Sequence, residues 1–433
     1  MLVYKFGGIA LKDADSIRAL LPIIKKQKNN KLVLVVSAMG KMTNAFELLH
    51  AYYRANDTRK DIHFQTIKSY HLDIVANLFK KEHAVFDFVN TTFENLLSTL
   101  KKHHNDAYDF SYDQSICYGE LLSSLIISEF LADQGLKNCR IDASELLVTN
   151  AKYRDARVDW ALTKERIAEK LLAEIDKFSL IITQGFIGGT LSGIRTTIGR
   201  EGSDFSAAIF AHFLNAKTLT VWKDVPGILN ADPKKLSKAR QLKHLSYHET
   251  VELAYYGASV IHPRTLQPLK AKKIPLYIRS FLNPEQVSLI DDNNQSDGDI
   301  ASFIVKENQI LFTIASRDFS FIDAEKLTGI LKLFSVNHFH IRLIQNSALN
   351  FSLVADENAL QLDELLSQLQ EDYSVKYNRN LSLLTVRHLH NSKVSDLLND
   401  TEILLEMHSR MTQQFVLCSA SLAQAMPDLN NLV

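Results

Sequence analysis

"KLVLVVSAM", residues 31–39, holds five aliphatic residues in a row, Leu32 to Val36, with no polar residue alternating among them. A strand with one face in water alternates apolar and polar residues, whereas a strand covered on both faces reads as a continuous apolar run. The stretch therefore belongs inside a parallel sheet with helices on either side. Its neighbours agree. "LVYKF" (2–6) reads as a strand, 13–29 as a helix, and "TNAFELLHAYY" (43–53) as a helix that Thr43 caps. Strands alternating with helices define an α/β layer.

Residues 45–135 read as mostly helical; Val89, Phe93, Leu96, Leu97 and Leu100 repeat at helical spacing along one face. His63, His71, His83, His103 and His104 in this stretch match no metal-ligand spacing and read as exposed helix positions. The alternation resumes with strand "FSLIITQGFIGG" (178–189), a helix over 203–215 opened by Ser203 and Asp204, strand "TLTVWKDV" (218–225), a helix over 246–258 ending at Gly257, and strand "IPLYIRS" (274–280). The polar run "DDNNQSDGD" (291–299) reads as a linker. After it the pattern becomes βαββαβ: strand 310–316, helix 323–337, strands 340–347 and 349–356, helix 358–371 and strand 374–378. A second such unit follows, with strands at 381–388, 402–410 and 412–420 and a short helix near 392–399. The expected division is residues 1–295, 305–378 and 379–433, the last one short and completed by a strand at 300–308.

Composition sets outer bounds. Of 433 residues, 46% are hydrophobic and 23% charged, the profile of a globular protein with two or three cores. Lys+Arg and Asp+Glu number 49 each, so no basic excess points to nucleic acid; solvated helix ends account for clusters such as "KKQKNNK" (25–31). Cys117, Cys139 and Cys418 are scattered and odd in number, as in reduced, cytoplasmic proteins. No run approaches the ~18 uninterrupted apolar residues of a membrane span, and the N-terminus enters a strand without a signal-peptide core.

The chemistry sits in loops that follow strands, where open α/β sheets bind ligands. "KFGG" (5–8) ends the first strand; its glycines clear backbone for an anion and Lys5 adds a compact charge, although a plain turn reads the same way. "GREGSDFSAA" (199–208) sets Arg200, Ser203 and Asp204 at a helix start, which is both a capping pattern and an anion site. "WKDVPGILNADPKKL" (222–236) places Lys223 and Asp224 before Pro- and Gly-rich turns, and "VVSAMGKMTN" (35–44) ends a buried strand in Ser37, Ala38 and Thr43.

Together with "YGELLSS" (118–124), "TQGFIGG" (183–189) and "GASVIHPRTLQPL" (257–269), these stretches resemble the motifs of aspartate kinases in order and spacing. The resemblance covers essentially the whole chain, because those enzymes carry tandem ACT domains, amino-acid-binding βαββαβ units, behind the kinase domain. It implies an amino-acid-kinase three-layer αβα domain with a mainly parallel sheet, followed by two α+β ACT domains. It also implies transfer of the ATP γ-phosphoryl group to the β-carboxylate of L-aspartate, the first step of lysine, threonine and methionine biosynthesis. By the same resemblance Lys5 and Asp204 are catalytic; Ser37, Ala38, Thr43, Glu120, Phe186, Arg200 and Ser203 bind aspartate; and Lys5, Gly7, Gly8, Lys223, Asp224, Leu229, Lys234 and Ser259 bind nucleotide. Gly7 and Gly8 are expected to give the phosphates backbone donors. ATP with Mg²⁺ is the implied cofactor, with no dedicated protein metal site, since Mg²⁺ keeps several waters. A cytoplasmic homodimer formed through the ACT domains is expected, with lysine or threonine as effector near Gln345, Asn346 and Ser347, and with no nucleic-acid or membrane partner. With the sequence ending at Val433, a fused homoserine dehydrogenase is not expected.

Several positions depart from the family pattern. Ile9 and Ala10 replace two hydroxyl residues, Ser259 replaces a lysine, Lys234 an arginine, Leu229 a tyrosine, and Ala348 a glutamate of the regulatory strand pair. They keep open two other readings: a non-catalytic amino-acid sensor on a kinase fold, and a kinase of another small amino acid.

Overall fold

The computed structural model describes residues 1–199, 201–258, 261–318, 320–389, 394, 398 and 401–432. They form two compact units: residues 1–228 with 243–251 and 260–294, and residues 229–242 with 252–259 and 295–433.

The strands of the first part of the chain are β1 (Leu2–Phe6), β2 (Leu32–Val36), β3 (Cys139–Arg140), β4 (Leu180–Gln184), β5 (Ile187–Gly189), β6 (Arg195–Thr197), β7 (Thr218–Lys223), β8 (Ile228–Leu229), β9 (Gln241–Leu242), β10 (His244–Ser246), β11 (Leu276–Ser280) and β12 (Val287–Asp291). Eight of them make one sheet in the order β10-β12-β11-β7-β1-β2-β4-β3, parallel throughout except where β12 runs against β11. All five residues of β2 are buried, as its unbroken apolar run requires.

The helices of this part are α1 (Ala14–Lys25), α2 (Met42–Arg54), α3 (Lys60–Leu78), α4 (Val85–His103), α5 (Tyr108–Ile116), α6 (Tyr118–Asp133), α7 (Trp160–Arg166), α8 (Leu172–Ile175), α9 (Gly202–Phe213), α10 (Tyr247–Tyr256) and α11 (Pro263–Ala271). Pleat alternation sorts the sheet faces. Tyr4, Phe6, Leu34, Val36 and Ile182 join one core with α1 to α6, while α9 packs on β1, β2 and β7 and α11 packs on α9. Lys5, between Tyr4 and Phe6, therefore points toward α9. The stretch Tyr108–Asp133 is long and apolar enough to cross a membrane, but 89% of its most apolar window is buried within the protein, as in a core helix pair.

Two capping expectations are corrected. Thr43 lies inside α2, whose N-cap is Lys41 and has no side-chain cap bond. Ser203 and Asp204 do not cap α9: the N-cap is Glu201, held left-handed at φ 54°, which frees both side chains to turn inward.

In the second unit β13 (Ser302–Ser316), β14 (Ile341–Asn346), β15 (Asn350–Asp356), β16 (Tyr373–Arg387), β17 (Ile403–His408) and β18 (Thr412–Cys418) form an antiparallel sheet in the order β14-β15-β13-β16-β18-β17. Helices α12 (Ala324–Val336), α13 (Leu362–Asp372) and α14 (Ser419–Leu432) pack against it. The strands read separately at 374–378 and 381–388 are one strand, because β13 and β16 pair along both halves with a register break near Asn308. Asn308 and Asn380 absorb the break in left-handed backbone, φ 56° and 57°. Residues 302–306 pair with 383–387, whereas 309–316 pair with β15 and with the first part of β16. The short helix expected near 392–399 lies outside the described residues, apart from the buried Val394 and Leu398. The segments 229–242 and 252–259 group with this unit instead of the first: Ala231 and Leu236 share a core with Phe303, Leu384 and Phe415, and Glu252 pairs with Arg387 at 3.1 Å.

Candidate active site

The C-terminal ends of β1, β2, β4 and β7 and the first turn of α9 surround a cavity of about 810 Å³ in the first unit. Three charges organise one wall. Lys5 Nζ lies 2.7 Å from Asp204 Oδ1, and Lys223 Nζ lies 3.6 Å from Asp204 Oδ2. Burial opposes ionisation of Asp204, but the two ammonium groups outweigh it and hold the carboxyl below its usual range. The triad sets two cations around one buried anion, which suits a polyanion.

Glu120, from the first turn of α6, faces this wall and is buried. Its Oε1 accepts from Ser203 Oγ at 2.7 Å, while Oε2 has no hydrogen-bond partner among the described residues. Burial pushes its carboxyl up to about 8, against the pull of the Ser203 hydroxyl and the Lys5 charge. A buried carboxylate oxygen without a donor is costly unless a cationic or donor group arrives. Ser37, Thr43 and Phe186 also line the cavity, and Ala38, next to Ser37 in the chain, is buried. Phe186 holds left-handed backbone, φ 59°, the kind of strain that collects at ligand-binding turns.

The glycines work by close approach. A Cβ on Gly8 would stand 2.5 Å from the Gly40 carbonyl oxygen, and one on Gly185 would stand 2.5 Å from Ser203 Cα. The expected donor role of Gly7 is corrected: its amide donates to the Trp222 carbonyl at 3.3 Å, so Gly7 offers clear space beside Lys5 instead of a hydrogen bond. Ile9 and Ala10 line the same turn, Ile9 exposed and Ala10 buried.

Lys5, Gly7, Gly8, Ser37, Thr43, Glu120, Phe186, Ser203, Asp204, Lys223 and Asp224 all meet at this cavity. Leu229 and Lys234 belong to the second unit. Arg200 and Ser259 lie outside the described residues. Gln345, Asn346 and Ser347 are exposed at the edge strand β14 and its turn, where Ser347 Oγ donates to the Asn350 carbonyl at 3.0 Å. Sequence reading missed Glu47, Tyr112, Arg154, Asp155 and Thr197, which also line the cavity. The available signal was weak: Asp113 and Tyr112 are polar residues in the helix leading into "YGELLSS", one or two turns before Glu120.

A parallel α/β sheet with cations and a buried acid at its strand ends defines a phosphate-handling class of protein. Residues 1–280 match the amino acid kinase family, and the chain belongs to it. Among characterised relatives, lysine-sensitive aspartokinase 3 of Escherichia coli is 27% identical over 89% of this chain and 86% of its own length. The chloroplastic bifunctional aspartokinase/homoserine dehydrogenase 1 of Arabidopsis thaliana is 33% identical over 65% of this chain, a match that spans 31% of that longer protein. The crystal structure of E. coli aspartokinase III in complex with aspartate and ADP superposes with a TM-score of 0.82 over 100% of this chain and 99% of that one; at 24% identity this likeness speaks to the fold. The resemblance to aspartate kinases read from the motifs is borne out.

Proposed function

We propose that this chain is an ATP-dependent aspartate kinase that converts L-aspartate to 4-phospho-L-aspartate. The observation that carries this reading is one cavity with a cationic wall, Lys5 and Lys223 around Asp204, facing the buried, half-satisfied Glu120. A β-carboxylate oxygen attacks the γ-phosphorus, the bond to the β–γ bridging oxygen breaks, and ADP leaves with that electron pair. No proton need move. Such a transfer depends on positioning and charge neutralisation. Lys5 neutralises charge on the transferring group, and Asp204 holds Lys5 and Lys223 in place. Glu120 receives the α-ammonium group through Oε2, Arg200 the α-carboxylate, and Ser37, Thr43, Ser203 and Phe186 shape the acceptor pocket. Lys223 and Asp224 attend the nucleotide.

Magnesium fits as a companion of the nucleotide: Asp224 is an exposed carboxylate on the cavity wall, suited to an ion that keeps most of its waters, and the ion would neutralise phosphate charge. The antiparallel unit we read as two ACT domains that form a homodimer and sense an amino acid; lysine or threonine binds near Gln345, Asn346 and Ser347. The lysine sensitivity of the E. coli relative supports that reading. A cytoplasmic location suits the three free cysteines. The deciding experiment is ADP formation from ATP and Mg²⁺ with and without L-aspartate, with glutamate as control. Aspartate-dependent turnover is expected; none at saturating substrates overturns the proposal. A thermal shift with lysine, threonine and methionine in turn tests the sensor.

A further inference from the structure

Asp113, on α5, touches neither wall charge of the cavity, yet it joins two of its walls. The side chain is completely buried, and its carboxylate accepts from Thr197 N–H at 2.7 Å, from Thr197 O–H at 2.7 Å, and from Arg154 N–H at 3.1 Å to each oxygen. Thr197 ends β6 and leads directly into the loop that delivers Ser203 and Asp204. Arg154 belongs to a separate loop and is held left-handed at φ 65°, a conformation that non-glycine residues rarely adopt. Its guanidinium is clamped by the same helix, 4.8 Å over the Tyr112 ring and 3.1 Å from Asp109. A Cβ on Gly199 would meet the Arg154 carbonyl at 3.4 Å and Asp155 Oδ1 at 3.2 Å, so Gly199, two residues past Thr197, rests on the backbone that Asp113 anchors.

We infer that Asp113 is a positioning residue for the acceptor site: by binding Thr197 and Arg154 with one carboxylate, it fixes the end of β6 and so how the start of α9 presents Ser203 to Glu120. This rests on the aspartate-kinase reading. The chemistry asks for the ionised form, because every group facing the carboxylate is a donor and a protonated oxygen would put a hydrogen against an N–H. Burial raises Asp113 to about 6 despite those donors. The titratable and charged groups around it are Asp109, Tyr112 and Cys117 along its own helical segment and Tyr153 and Arg154 from the facing loop; Tyr112, Tyr153 and Cys117 are all shifted upward, away from that range.

The test is Asp113→Asn, which keeps shape and replaces one acceptor by a donor. The aspartate KM is expected to rise about tenfold while the ATP KM stays within about twofold, since about 1.4 kcal/mol is one factor of ten. Glu120 gives both proteins a rise in aspartate KM as pH falls below about 8; the further steepening of that rise through about 6 is expected in the wild type and absent from the variant. Equal changes in both KM values, or an unaltered pH profile, overturn the inference. Thr197→Val removes one donor and keeps the fold's shape; should D113N fail to fold, an unchanged aspartate KM in T197V overturns it instead. Amide hydrogen exchange over 196–204 needs no substrate. Faster exchange in D113N or T197V supports the clamp even if the wild type proves inert toward aspartate, and unchanged exchange refutes the clamp separately from the activity.

Discussion

At the scale of single residues, burial holds Glu120 at about 8, so near neutral pH its carboxyl carries a proton for most of the time. An ammonium group arriving at Oε2 favours the ionised form. Affinity for aspartate should therefore improve as pH rises toward 8, and Glu120→Gln should raise the aspartate KM at least tenfold and flatten that slope. Stability runs the other way. The folded value lies above the reference 4.5, so folding takes up a proton between the two, and Glu120's contribution declines as pH rises from about 4.5 to about 8. E120Q without substrate should consequently show a smaller loss of Tm between pH 5 and 8 than the wild type; a larger loss would contradict the assignment. Asp204 behaves oppositely, since Lys5 and Lys223 depend on it. Asp204→Asn leaves two cations facing one another and should cost about 3–5 kcal/mol, read as a fall in denaturation midpoint, along with nearly all activity. Lys5, Glu120 and Asp204 were singled out in the sequence by the order of the motifs, since a lysine before a glycine turn and an acid at a helix start read equally as a turn and a cap. Asp113 was not, because its role lies in donors that come from residues 41 and 84 positions away.

At the scale of elements, the sheet was readable because β2 is apolar throughout, β4 opens on the apolar run Leu180–Ile182, and both are buried along their whole length. The ends of helices were less so. Ser203 and Asp204 have the chemistry of caps, but the left-handed Glu201 caps α9 two residues before Ser203, and their side chains answer to Glu120 and Lys5. Local propensity lost to tertiary partners. The same held for β16, where the left-handed Asn380 looks like a strand end in sequence and is a bulge in a continuous ladder. Close approach also fixes the first turn. Gly8→Ala puts a methyl group 2.5 Å from a backbone oxygen that has no freedom to retreat, so we expect a destabilisation of about 1–3 kcal/mol by chemical denaturation and a matching loss of activity. A G8A protein as stable as the wild type would show that the β1 turn can move.

At the scale of the whole molecule, the division of labour between a parallel and an antiparallel unit was evident from the change in pattern after the 291–299 run. The assignment of 229–242 and 252–259 to the second unit was not, since no local feature marks a segment whose partners, Phe303, Leu384 and Arg387, lie far along the chain. The pairing of 302–306 with 383–387 gives the second unit a hierarchy. One half of the antiparallel sheet is sequence-local, and the other is threaded around it: its first strand is made before the local half, and its remaining strands after. Closing a loop of that length costs conformational entropy, and a folded insert cancels most of it by already holding the two stems together. The local half thus works as a splint for the outer one, and damage should propagate in one direction. Phe312→Ala, in the local core, should loosen both halves, whereas Phe415→Ala, in the outer core, should leave amide protection in 341–356 intact. A signal sensed in the local half would reach the outer half by the same route.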